Sequence, residues 1–223
     1  MRAQKDDLCR ALDGFGMELA CHLPTFVPTA DLTDTIREAS IRETLHAMHM
    51  AAEPGAIKAV LRPSFIQGLG ALMPDLTKKR AMDTMCRLLG EAEKLRLIVC
   101  VENLFPRSLS LVRPEDFDAV FNAFPNAQLT LDTCHAHIQS ETERILVFIK
   151  RFASRIGHVH ASDNRGRDDD HLPIGAGTID FAEVVKAFKQ IGYNKTITLE
   201  VFAKDRDYLR ISRDKLREIF AGP

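Results

Sequence analysis

The sequence predicts an α/β chain of the parallel (β/α)-barrel kind, incomplete at the N-terminus, with about six β/α units. Three observations carry this. Short apolar runs of strand length alternate with longer stretches of helical periodicity almost without interruption. That alternation demands parallel pairing with right-handed crossovers. Four of the runs end in a side chain that can bind metal: Glu102 after Leu97–Val101, Asp132 after Leu129–Leu131, His160 after Ile156–Val159, and Glu200 after Ile197–Leu199. In such barrels the carboxyl ends of the strands converge on one face, so two Glu, one Asp and one His would meet around a divalent cation.

Taken in order, a helix is expected over about residues 4 to 14, then a first strand at Met17–Cys21 that runs out into His22-Leu23-Pro24. Asp31 and Asp34 can cap a long helix reaching about Ala52, whose apolar residues recur at helical spacing. Ala56–Leu61 forms the second strand, closed by Arg62-Pro63. A helix from about Leu76 to Leu95 leads to the Glu102 strand, and Arg113-Pro114-Glu115-Asp116 opens the next helix with Pro near its start. The Asp132 strand, a helix from about Ser140 to Phe152 and the His160 strand follow. A polar loop, Asp163 to Gly177, precedes a helix from about Asp180 to Ile191. The last strand ends at Glu200 and a final helix covers about Asp205 to Phe220. A complete barrel has eight strands, so the barrel is open, a partner chain completes it as a homo-oligomer, or an N-terminal piece is missing.

The 223 residues show no Pro/Gly/Ser linker, and one domain, 1–223, is expected. With a net charge of −1, the chain as a whole has no electrostatic reason to approach nucleic acid or a membrane, although a local basic patch stays open. Five Cys without C-x-x-C spacing fit a reduced cytoplasm. The N-terminus lacks the apolar core of a signal peptide, and no apolar run approaches the ~20 residues that span a bilayer. There is no Trp and only two Tyr, so stacking platforms for single-stranded nucleic acid would need the 13 Phe, which sit mostly in apolar-periodic, core-like positions.

A lone carboxylate at a strand end usually caps the following helix, and it is the combination that points to metal. Mg²⁺ and Mn²⁺ favour carboxylate oxygens, and an added imidazole widens tolerance to Co²⁺ and Zn²⁺. His135 lies three residues past Asp132, where it can aim into the same mouth or simply hydrogen-bond within its loop. His158 shares a strand face with His160 and reads as barrel lining. His46 and His49 sit on a helix face, and Gly157, Asn164 and Lys204 are site neighbours without an assigned role.

The segments Val101-Glu102-Asn103, Leu131-Asp132-Thr133-Cys134-His135, His158-Val159-His160-Ala161-Ser162-Asp163-Asn164, the stretch from Asp169 to Phe181 and Leu199-Glu200 resemble the xylose isomerase-like superfamily of TIM barrels. That superfamily includes sugar phosphate isomerases and epimerases and the family 2 AP endonucleases. The resemblance runs from about Met17 to Glu200. It implies that Glu102, Asp132, His160 and Glu200 bind the shared catalytic metal (Mn, Co, Mg or Zn) and that His22 matches a histidine near the mouth of an early strand. In the endonuclease branch it implies a further metal at His135, Asp169 and His171, and another at His22, Glu102 and a histidine where this chain has Arg62. Arg62 removes that ligand. It reads either as a surface residue before Pro63 or as a fixed cation facing a substrate phosphate or carboxylate. His135 is then a ligand of a substrate hydroxyl or of a second metal.

The leading expectation is a metal-dependent isomerase or epimerase of a small sugar or sugar phosphate. The cation would hold the carbonyl and adjacent hydroxyl oxygens and stabilise an enediolate, with Glu102 and Glu200 removing and returning the proton. The alternative is a phosphodiesterase similar to endonuclease IV; a third is a metal-binding remnant without catalysis.

Overall fold

A computed structural model describes residues 5–63, 68–108 and 110–222. The six expected strands are all present and parallel, in alternation with helices. The fold is α/β of the TIM-barrel type, with six β/α units. The chain divides into two compact units.

The first unit runs up to Val101 and includes Val120–Ala127. It holds α1 (Lys5–Phe15), β1 (Ala20–His22), α2 (Asp34–Ala52), β2 (Lys58–Leu61), α3 (Pro74–Leu95) and most of β3 (Ile98–Glu102). Residue 4, expected in the first helix, lies outside the described residues, as does the rest of the Met1–Gln4 segment. Strand β1 is shorter than expected. Met17, Glu18 and Leu19 stay outside the ladder, although the Leu19 carbonyl accepts the Ile57 N–H at 3.0 Å. The pairs Ala20↔Lys58 and His22↔Val60 set one register, and Lys58↔Ile98 and Leu61↔Val101 the next. Helix α2 buries Arg37, Ile41, Thr44, Met48 and Ala51, an apolar stripe at three- and four-residue spacing with two polar side chains in it. Thr33, not Asp31 or Asp34, occupies its N-cap position, while the Asp31 carboxylate accepts the Thr33 N–H at 2.6 Å. Helix α3 starts with Pro74 in its first turn and stops at Arg96, whose φ of 57° ends the helical run.

The second unit holds Glu102–Ala119 and the chain from Gln128 onward. Strands β4 (Gln128–Asp132), β5 (Ile156–Ala161) and β6 (Thr196–Leu199) pair in chain order. Where a helix was expected to open at Pro114, a 3-10 turn, Pro114–Phe117, comes first and α4 (Asp118–Ala123) follows. A helical turn, α5 (Thr133–His137), leaves β4 directly and precedes α6 (Glu143–Arg151). Asp180 caps α7 (Phe181–Gln190) by accepting the Ala182 and Glu183 N–H groups, both at 3.0 Å. Helix α8 (Asp207–Ala221) ends the chain. The core gathers Leu129, Leu131, Ile145, Ile149, Ile156 and the ring pair Phe117–Phe148. Phe121, Phe152, Phe181 and Phe188 are buried as well, but Phe15, Phe26 and Phe202 are exposed, so the expectation of core Phe holds for part of the set.

None of the five cysteines is in a disulfide. Among the described residues, no helix is long and apolar enough to cross a membrane.

Candidate active site

The parallel register of the second unit delivers the strand-end residues to one place. Asp132 stands opposite His160 across β4 and β5. Glu200, one residue past β6, is tied to the end of β5 by its N–H, which donates to the Ala161 carbonyl at 3.1 Å. Glu102 closes β3, and the next residue, Asn103, donates its N–H to the Thr130 carbonyl at 3.3 Å. His160 Nδ1 lies 2.7 Å from Glu102 Oε1, 3.3 Å from Glu200 Oε1 and 3.8 Å from Asp132 Oδ2. All four residues offer a ligand atom within 4.8 Å of the others.

Glu102, Asp132 and His160 are buried and Glu200 is half-buried. Three carboxylates so close together repel one another, and burial penalises their charged forms further. Asp132 Oδ2 shows what the arrangement lacks. It is buried without a hydrogen-bond donor among the described residues, its near imidazole nitrogens being His135 Nδ1 at 3.7 Å and His160 Nδ1 at 3.8 Å. A buried carboxylate oxygen left so, facing two further carboxylates and an imidazole, fits a divalent cation.

Asn103 holds this set in position. Its side-chain carbonyl accepts the Asp132 N–H at 2.7 Å and its amide donates to the Asp132 carbonyl at 3.0 Å, so one side chain continues the strand ladder beyond the end of β3. Its own carbonyl accepts from His135 Nδ1 at 2.8 Å.

A second cluster adjoins the first. His135 Nε2 lies 3.3 Å from Asp169 Oδ2, and His171 Nε2 lies 3.2 Å from Asp169 Oδ1. Both imidazoles donate from Nδ1 to backbone carbonyls, His135 to Asn103 at 2.8 Å and His171 to Glu200 at 3.0 Å, which turns both Nε2 atoms toward Asp169. His171 has a φ of 47°, in the left-handed region that non-glycine residues adopt uncommonly.

The loop that carries Asp169 and His171 is fixed by Asp163. Its buried carboxylate accepts four backbone N–H groups, from Asn164 (2.9 Å), Gly175 (2.8 Å), Gly177 (3.0 Å) and Ile179 (3.1 Å). Gly177 is required by close approach, since a Cβ there would lie 2.2 Å from the Asn164 carbonyl oxygen.

The charges balance one another. Burial opposes the charged form of His135, but Asp132, Asp169 and Glu102 outweigh it and raise its pKa to about 9. His160 and His171 are raised in the same way, against burial, chiefly by Glu102 and Asp169 respectively. Asp169 is held well below the usual carboxylate range, its burial overcome by His135 and His171. Glu200 is raised, first by burial and then by the charges of Asp132 and Glu102, with His160 pulling against them.

Of the residues singled out in the sequence, the structure brings together Glu102, Asp132, His160 and Glu200, and beside them His135, Asp169 and His171. His22 and Arg62 belong to the first unit, His22 as the last residue of β1 and Arg62 directly after β2. His22 Nδ1 donates to the Leu23 carbonyl at 2.8 Å. His158 is buried as expected, with its ring nitrogens on Thr196 and Thr198. His46 and His49 are exposed on α2, and Lys204 is exposed. Sequence reasoning gave no role to Asn103, Asp163 or the two rings beside the imidazoles. Phe105 meets His135 at 5.2 Å between centroids, and Phe202 stacks on His171 at 4.2 Å while 74% exposed. A Phe two residues past Glu200 was the available signal for Phe202.

Residues 1–219 match the family described as xylose isomerase-like TIM barrel. An uncharacterized protein of Methanocaldococcus jannaschii is 26% identical over 219 residues, which is 92% of this chain and 75% of that protein. The L-ribulose 3-epimerase of Methylomonas sp. is 37% identical over 82 residues, covering 36% of this chain and 26% of that enzyme. Among solved structures, a D-tagatose 3-epimerase-like protein superposes with a TM-score of 0.87 at 25% identity, over 99% of this chain and 84% of that one. An L-ribulose 3-epimerase shares the fold, with a TM-score of 0.77 at 17% identity over 96% and 79% of the two chains. With the strand-end cluster and the match over nearly the whole chain, the protein belongs to the xylose isomerase-like TIM barrel family.

Proposed function

We propose that this chain is a divalent-metal-dependent epimerase or isomerase of a small ketose or its phosphate. The observation that carries the reading is the buried convergence of Glu102, Asp132, His160 and Glu200 with Asp132 Oδ2 lacking a donor. Similarity to a D-tagatose 3-epimerase-like protein and, over a shorter stretch, to an L-ribulose 3-epimerase supports a ketose as substrate.

Those four residues would hold the cation, which when bound polarises a substrate carbonyl and its neighbouring hydroxyl and acidifies the C–H between them. The chain's own groups do the rest. Glu200, half-buried while Glu102 is fully buried, is the carboxylate open to substrate, and its pKa, raised first by burial, favours its holding a proton. Glu102 takes the opposite role in the pair; in the metal-free protein its Oε1 accepts from His160 Nδ1 at 2.7 Å, a contact that the bound cation would replace. His135 and His171, whose Nε2 atoms pair with Asp169, would orient substrate hydroxyls by exchanging that partner, and the exposed Phe202 ring stacked on His171 offers an apolar face to sugar C–H groups.

The test is to incubate the manganese-loaded protein with L-ribulose, D-tagatose and D-fructose in D₂O. At least one ketose should give its epimer with solvent deuterium at the inverted carbon. Glu200→Gln and Glu102→Gln should each lower kcat by about 10²–10⁴-fold with the fold retained. Full activity in both variants would sink the scheme.

One observation favours a second reading. Asp169 between His135 and His171 is a second set of clustered ligand atoms, as a metal-dependent phosphodiesterase would need. Hydrolysis of a phosphodiester in place of ketose turnover, lost in Asp169→Asn, would establish it.

A further inference from the structure

Directly beneath the candidate site lies a side-chain layer that neither the strand-end cluster nor the proposed chemistry uses. On β5, His158 and His160 share one face; on β6, Thr196 and Thr198 share a face with Glu200 just beyond the strand. His158 stands opposite Thr196, and His160 opposite Thr198. The buried His158 ring spans both threonines, with Nδ1 2.7 Å from Thr196 Oγ1 and Nε2 3.0 Å from Thr198 Oγ1. A neutral imidazole has one N–H and one lone pair, and a hydroxyl can accept the first and donate to the second, so both contacts are satisfied at once. The same ring packs edge-on against His160, with centroids 5.2 Å apart and planes at 88°.

Strand β6 needs such a device. It ends the strand order, so among the described residues its one ladder partner is β5, and its four residues are only partly covered. Four residues of parallel ladder make few hydrogen bonds, and edge strands fray. Two residues past Thr198, Glu200 must lie within 3.3 Å of His160 for the cluster to exist.

We infer that His158 is a positioning residue: by bonding Thr196 and Thr198 together it locks β6 to β5 and so holds Glu200 beside His160. Only the consequence for catalysis rests on the proposed function; the locking of β6 does not.

The experiment compares wild type with His158→Leu, His158→Gln and Thr198→Val. Amide exchange over residues 196–200 is read on the metal-free proteins, and Mn²⁺ affinity is measured by calorimetry. In His158→Leu, exchange protection of β6 should fall roughly tenfold while β4 is unchanged, and Mn²⁺ affinity should fall about 10–100-fold. His158→Gln, whose amide reaches Thr198, should recover most of both. Unchanged β6 protection with unchanged affinity in His158→Leu would overturn the inference, and so would a Gln variant no better than Leu, since the ring would then only fill space. If His158→Leu does not fold, Thr198→Val decides: lost affinity on an intact fold supports the lock, and wild-type values overturn it. A wild type that binds no Mn²⁺ would contradict the proposed function and leave β6 exchange in the metal-free proteins to decide the inference.

Discussion

Asp132 Oδ2 lies buried 3.7 Å and 3.8 Å from two imidazole nitrogens, without a hydrogen-bond donor among the described residues. In the metal-free protein the protons held by the groups around it have a signature in pH. The folded pKa of His135 is raised to about 9, above an unfolded value of about 6.5. Its contribution to stability is therefore complete below about pH 6.5 and is lost as pH rises through about 9. The raised Glu200 acts in the same direction, because a proton favoured in the fold is given up as pH rises. Melting temperatures of metal-free protein should fall between about pH 7 and 9, and His135→Gln should flatten that decline; an equal slope in both proteins would refute the assignment. The four cluster residues were legible in the sequence because each ends an apolar run. Asn103 was not, although it adjoins Glu102, because nothing in a sequence shows that one amide will pair with both backbone groups of Asp132.

At the scale of elements, the loop from Asp163 to Ile179 does the work of an ordered arm. Its conformation is written by one buried carboxylate on four N–H groups and by one glycine with no room for a Cβ. Asp163→Asn replaces one acceptor oxygen by an NH₂ that faces N–H donors. It should cost about 1–3 kcal/mol, seen as a fall of several degrees in melting temperature, and should release the Asp169 pairing with His135 and His171. A variant with wild-type stability and unchanged His135 and His171 resonances would show that the loop holds without it. A polar loop over Asp163 to Gly177 was legible, whereas the clamp itself joins residues up to 16 apart and is a product of folding. Strand β1 illustrates the opposite failure. Met17–Leu19 has strand-like residues, but among them the Leu19 carbonyl alone is joined to β2's approach, through Ile57.

At the scale of the whole molecule, the alternation of apolar runs and helical periodicity was enough to predict the fold class and the six strands, because parallel strands buried on both faces read as continuous apolar runs. The candidate ligands were singled out by position along the chain, and the distances that make them a cluster came from the register of β4, β5 and β6. The measurement that tests this account most directly is the metal content of the purified protein by elemental mass spectrometry, for wild type and Asp132→Asn. Wild type should carry about one exchangeable divalent ion per chain, lost in Asp132→Asn on an intact fold. A wild-type protein that takes up no divalent ion even after reconstitution would contradict it.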